Sequence, residues 1–126
     1  MLVVEDEPAI RNVLYVLLAG VGCEGIAAYS GQQALSMISR DRYDAVLLDL
    51  RCVNLPAKEI VSQINDLRPS LVGRILVITG EVHDTETMEM IKRHCLPHVA
   101  QNRLAQDLWA RLKTLLGLSH SPKTES

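Results

Sequence analysis

The chain has 126 residues, 48% of them apolar and 22% charged. At roughly 100–200 residues per domain this is a single domain with enough apolar material for a core. Thirteen basic against fifteen acidic residues leave a net charge of −2, which argues against a general polyanion binder, since such domains carry a basic excess.

No Phe occurs, and only Tyr15, Tyr29, Tyr43 and Trp109 carry large rings. That speaks against a stacking platform for single-stranded nucleic acid and leaves the core to Leu, Val, Ile and Ala. Cys23, Cys52 and Cys95 are odd in number and widely spaced, with no zinc-type Cys/His cluster, so reduced thiols are expected. Met1 leads straight into an apolar run without a basic n-region, and no apolar stretch approaches the ~18 residues of a membrane span. The expected setting is cytoplasmic.

Taken in chain order, Leu2-Val3-Val4 reads as a strand ending at Glu5-Asp6. Ile10, Val13, Leu14, Leu17 and Leu18 then mark one apolar helix face, with Pro8 in its first turn and Gly20 and Gly22 at its end. A second strand is expected from Gly25 to Tyr29. Ser30-Gly31 turns the chain into a helix carrying Ala34, Leu35 and Ile38. Ala45-Val46-Leu47-Leu48 is a continuous apolar run, as in a strand buried on both faces, and it stops at Asp49. A helix with Ile60, Val61 and Ile64 ends before Pro69.

Ile75 to Ile78 form the next buried strand, ending at Thr79-Gly80. Asp84 to His94 read as a weakly amphipathic helix, and His98 to Gln101 as a short strand. Leu104, Leu108, Leu112 and Leu115 mark the last helix, and 117–126 read as a polar tail. Five strands alternating with five helices imply βαβ units and a parallel sheet covered on both faces, a doubly wound three-layer α/β sandwich.

In such sheets ligands bind beyond the carboxyl ends of the strands. Those ends here carry Glu5-Asp6-Glu7, Asp49 and Thr79-Gly80. Each has a plain explanation alone: Asp6 as a helix cap, Asp49 as a solvated loop acid, Thr79 as a turn residue. Their joint placement at one edge points instead to a site. Packed carboxylates repel unless a proton or cation intervenes, and oxygen donors suit Mg²⁺.

The stretches Leu2 to Pro8, Tyr43 to Arg51 and Val77 to Gly80, with Ser30-Gly31-Gln32-Gln33-Ala34-Leu35 opening the second helix, resemble the receiver domain of bacterial two-component response regulators. The resemblance covers about residues 2–116 and places the receiver domain at 1–116. It implies a flavodoxin-like fold with strand order 2-1-3-4-5, in which ligands sit at the carboxyl ends of the strands. By resemblance, Asp49 is the aspartate that accepts a phosphoryl group from a phosphohistidine. Asp6 is a direct Mg²⁺ ligand, Glu5 its acidic neighbour, and Arg51 supplies a backbone carbonyl to the metal. Thr79, followed by Gly80, binds a phosphoryl oxygen and resets the face formed by the fourth helix, fifth strand and fifth helix.

Three departures from the family stand out. Its Lys-Pro pair after the fifth strand falls on Gln101-Asn102, and Gln brings no charge; Arg103 and Lys92 are basic residues nearby in sequence. Its Met-Pro and Gly after the acceptor fall on Cys52-Val53 and Ala57, with Pro56 in between, so a reshaped loop is expected. Its switch aromatic falls on His98.

The expected function is therefore a phospho-acceptor module acting through protein contact. Its partners are a sensor histidine kinase or phosphotransfer protein, a downstream protein, and in one arrangement a second copy of itself. Val82, Met88, Ile91, Trp109 and Leu116 lie in the expected output region. The alternative is a degenerate receiver that docks independently of phosphorylation. An aspartyl phosphohydrolase needs a second Asp where Arg51 stands, and no GxGxxG or GxxxxGK[ST] loop occurs. No enzyme activity, membrane contact or direct nucleic-acid contact is expected, and the chain leaves no length for a helix-turn-helix output domain.

Overall fold

The computed structural model describes residues 1–51, 55–80 and 85–115. Cys52, Val53, Val82, Asp84, Leu116 and the expected tail lie outside the described residues.

The elements run β1 (Leu2–Val4), α1 (Pro8–Gly20), β2 (Ile26–Ala28), α2 (Gly31–Arg40) and β3 (Val46–Asp49). They continue with α3 (Ala57–Leu67), β4 (Ile75–Thr79), α4 (Thr85–Arg93), β5 (His98–Ala100) and α5 (Leu104–Leu115). All neighbouring strands are parallel, in the order β2-β1-β3-β4-β5. This is the expected flavodoxin-like sandwich.

Strand alternation explains the layers. Leu2, Val4, Val46, Leu48, Ile75 and Val77 pack with Ala34 and Ile38 of α2, Ile60, Val61 and Ile64 of α3, and Met90 and Ile91 of α4. The intervening Val3, Leu47, Leu76, Ile78 and Val99 pack with Ile10, Leu14 and Leu18 of α1 and Leu104, Leu108 and Leu112 of α5. The three central strands are buried along their whole length. That requires uninterrupted apolar runs, which end only where the chain reaches Glu5, Asp49 and Thr79.

Local chemistry fixes the helix starts. The Ser30 hydroxyl accepts the Gln33 N–H at 3.1 Å, while the Gln33 side-chain oxygen accepts the Tyr29 N–H at 2.7 Å. This reciprocal capping stops β2 and starts α2 within one turn. Gly25 admits the Tyr15 ring, which would lie 2.8 Å from a Cβ at that position.

Several expectations are corrected. The buried stripe of α1 is Ile10, Leu14 and Leu18, whereas Val13 is exposed and Leu17 only half-buried. A single stripe suffices because α1 shares this face of the sheet with α5. The second strand is shorter than Gly25 to Tyr29, because capping claims Tyr29 and the Tyr15 contact claims Gly25. β5 ends at Ala100, and Gln101–Arg103 form a 3₁₀ turn. A further 3₁₀ segment, Pro69–Arg74, links α3 to β4. Ile91 belongs to the core, while Met88 and Trp109 are half-buried. Cys23 and Cys95 are free thiols.

Candidate functional site

β1 and β3 are neighbours in register, with Val4 opposite Leu48, so Glu5 and Asp49 arrive side by side at the carboxyl edge. Both are out of solvent: Glu5 is 1% exposed and Asp49 0%. Each ties down its own turn. Glu5 Oε1 accepts the N–H of Glu7 at 3.1 Å, and Asp49 Oδ1 accepts the N–H of Arg51 at 2.9 Å. Bonding of a side chain to the backbone two residues on is the usual way a short acid turns the chain.

The two carboxyls differ in their affinity for a proton. Burial, reinforced by the Asp49 carboxylate beside it, pushes Glu5 up to about 8. Its Oε2 is buried and finds no protein donor. Asp49 is buried too, but hydrogen bonding from Glu5 and Arg51 outweighs burial and holds it below the ordinary aspartate range. Folding thus moves the two acids in opposite directions, Glu5 toward its protonated form and Asp49 toward its charged one. That is how two packed acids avoid repulsion.

Asp49 is also gripped by a cation. Arg51 Nε donates to Oδ1 at 3.2 Å and Nη2 to Oδ2 at 3.0 Å. The same Nη2 lies 3.7 Å from Glu7 Oε2. Sequence reasoning expected Arg51 to act through its backbone carbonyl and missed its side chain. Asp-x-Arg spacing alone does not reveal this grip, which depends on the turn closed by the Arg51 N–H on Asp49 Oδ1. Sequence reasoning also missed Arg11, whose Nη1 reaches the Glu5 carbonyl at 3.5 Å and whose guanidinium lies 4.9 Å from the Tyr29 ring centre.

Thr79 ends β4, paired one step beyond the Asp49 register, and its buried hydroxyl has no hydrogen bond. Gly80, Gln101, Asn102 and Arg51 line one open hollow of about 440 Å³. Asp6 is exposed. Among the described residues no three acid, His or Cys side chains converge as a metal cluster. Glu5 and Asp49 are buried side by side while Asp6 is exposed, and the Arg51 guanidinium supplies positive charge at Asp49.

His98 opens β5 and lines a separate hollow with Gly73, Cys95 and Arg111, at the amino end of the strands. It is not brought to the acids. Arg103 pairs with Asp107 at 2.9 Å on the surface of the chain. Lys92 is exposed on α4.

The two buried acids, the Thr79 hydroxyl and the Arg51 guanidinium thus gather at the carboxyl edge of a sheet ordered β2-β1-β3-β4-β5. The model of the response regulator receiver domain matches residues 1–113. This chain belongs to the response regulator receiver family.

The transcriptional regulatory protein ZraR of Escherichia coli K12 is 28% identical over 126 residues, covering 100% of this chain and 28% of ZraR. The response regulator MprA of Mycobacterium avium strain 104 is 30% identical over 116 residues, covering 92% of this chain and 50% of MprA. The chain thus spans half or less of these curated relatives. Among solved structures, a CheY-like receiver domain protein from Methanospirillum hungatei JF-1 superposes with a TM-score of 0.79 at 20% identity, covering 99% of this chain and 96% of that one. The receiver domain of the sensor histidine kinase PA1611 from Pseudomonas aeruginosa PAO1 gives 0.75 at 24%, covering 92% and 95%. Receiver domains belong to two-component signalling, where they meet histidine kinases and downstream effectors. Among the described residues of this receiver, no helix is long and apolar enough to cross a membrane.

Proposed function

We propose that this receiver accepts a phosphoryl group on Asp49 and passes the change on by protein contact. The observation that carries the reading is the fully buried Asp49 lying beside the buried Glu5 at the carboxyl edge, with the unbonded Thr79 hydroxyl on the next strand. A buried polar group without a partner is rare, and the Thr79 hydroxyl at this edge is free to bond an incoming ligand oxygen.

The donor set fits Mg²⁺, which takes oxygen ligands, needs only one or two carboxylates and keeps several waters. Asp49, Glu5 and the Arg51 carbonyl would hold it, with Asp6 on the rim. The receiver of PA1611 was solved with magnesium coordinated in its active-site cleft. When bound, the ion neutralises charge between the carboxylate and the incoming phosphoryl group.

The chain's own residues do the rest. An Asp49 oxygen attacks phosphorus, an O–P bond forms, and the donor's bond to phosphorus breaks with its electron pair leaving on the donor. The Thr79 hydroxyl supplies a hydrogen bond to a phosphoryl oxygen. Gln101 offers a neutral bond where the family has a charged one, and charge-assisted bonds are roughly twice as strong. The receiver domain is assigned to 1–116, with signalling through the α4, β5 and α5 face to a downstream protein or a second copy. The absence of lysine at Gln101 favours a second reading, a docking module indifferent to phosphorylation.

The test is incubation with acetyl phosphate and Mg²⁺, read by intact mass. A gain of one phosphoryl group, lost in Asp49→Asn, is expected. No gain in the parent chain, with partner binding unaffected by the phosphodonor, selects the docking module.

A further inference from the structure

We infer that the Arg51 side chain is the site's built-in counter-ion, competing with a divalent cation for the oxygens of Asp49. This rests on the metal-assisted reading above and adds a residue that controls access to it.

Both Asp49 oxygens are engaged by Arg51, Oδ1 by Nε at 3.2 Å and Oδ2 by Nη2 at 3.0 Å. A guanidinium is planar and forked, so it holds a carboxylate on both oxygens at once. A metal or a phosphorus atom must compete with that fork for the same two oxygens. A buried carboxylate without a counter-charge is costly, and Arg51 removes that cost at Asp49, which is 0% exposed.

The arrangement is also built to release. The Arg51 side chain is 41% exposed, so water can take it up at little cost. Glu7 Oε2, 3.7 Å from Nη2 and 50% exposed, offers a second seat. Arg51 therefore has two acids within one side-chain swing. One is the phospho-acceptor and the other lies on the surface. The short Asp-x-Arg link keeps the guanidinium local, so its competition does not depend on distant parts of the fold.

The consequence is a divalent-cation affinity set below what the acids alone would give. Titration of the full chain with Mn²⁺, followed by electron paramagnetic resonance, tests it. Arg51→Ala and Arg51→Gln are each expected to bind Mn²⁺ about tenfold more tightly than the parent, a change of ~1.4 kcal/mol. Gln preserves side-chain bulk without charge, and circular dichroism verifies that each variant is folded. Equal or weaker binding by both folded variants overturns the inference while leaving the metal reading intact. No binding by parent or variants at millimolar Mn²⁺ overturns the metal reading itself, and the inference with it.

Discussion

Glu5 and Asp49 end neighbouring parallel strands, both out of solvent, yet burial and its neighbour push Glu5 up to about 8 while hydrogen bonds hold Asp49 below the ordinary range. The acid on β1 holds a proton that the acid on β3 helps to keep there. A metal that takes up Glu5 as a ligand must displace that proton.

Stability should therefore depend on pH in a definite direction. Burial and the neighbouring Asp49 raise Glu5 from 4.5 in the unfolded chain to about 8 in the folded one. Between those values the folded chain binds more protons than the unfolded one, so stability falls as pH rises. The Glu5 contribution is full below about 4.5 and gone above about 8. Asp49, lowered on folding, acts oppositely, and its contribution fades only in acid. In chelator-treated protein the Tm is expected to fall from pH 5.5 to 8.5, and Glu5→Gln to flatten the curve. Added Mg²⁺ should recover stability most at the alkaline end. A parent Tm that does not change across this range would contradict the assignment of the proton to Glu5.

Thr79 hides a hydroxyl with no hydrogen bond. An unsatisfied buried polar group costs about 1–3 kcal/mol, and an apolar group of the same shape removes that cost. Thr79→Val should then be as stable as the parent or more so, by up to about 1 kcal/mol in urea unfolding. The same variant should lose the spectral change that beryllofluoride induces around α4 and β5. Lower stability with an intact response would mean that the hydroxyl serves the fold rather than the phosphoryl group.

The two faces of α1 make a sharper test of packing. Leu14 is 0% exposed and Val13 44%. Leu14→Ala should cost about 2–5 kcal/mol, since it leaves a cavity against the sheet. Val13→Ala should change stability by less than about 0.5 kcal/mol, as exposed positions do. Similar losses at both would show that α1 sits differently.

The layers were legible because the strands demand it. Val46 to Leu48 and Ile75 to Ile78 are too apolar to face water on either side, and their acidic or hydroxyl ends then mark the functional edge. Val13 was misread because periodicity identifies an apolar face without saying how wide a stripe the neighbouring layer covers. The limits of β2 depended on a cap and a ring contact, neither of which is a pattern of hydrophobicity. At the site, Glu5, Asp49 and Thr79 were legible from their positions at strand ends. The grip of Arg51 was not, because it depends on how the chain turns after Asp49. Lys92 and Arg103, close in sequence to Gln101, were no guide to which cation serves the acids.

Gln101 sets the last prediction. It lines the hollow shared by Gly80, Asn102 and Arg51, where the family carries a lysine. A neutral amide there can donate a hydrogen bond to a phosphoryl oxygen but adds no charge attraction. Gln101→Lys places an ammonium just beyond β5, at the rim of the hollow that Arg51 also lines. Its bond to a phosphoryl oxygen would be charge-assisted and about twice as strong as the amide's. Beryllofluoride affinity, measured by fluorine NMR in Mg²⁺, should rise about tenfold, or ~1.4 kcal/mol, and ionic strength should weaken the gain through screening. If affinity stays at the parent value while the variant remains folded, the end of β5 does not face the phosphoryl position. Arg51 would then be the side chain to examine as the cation serving that role.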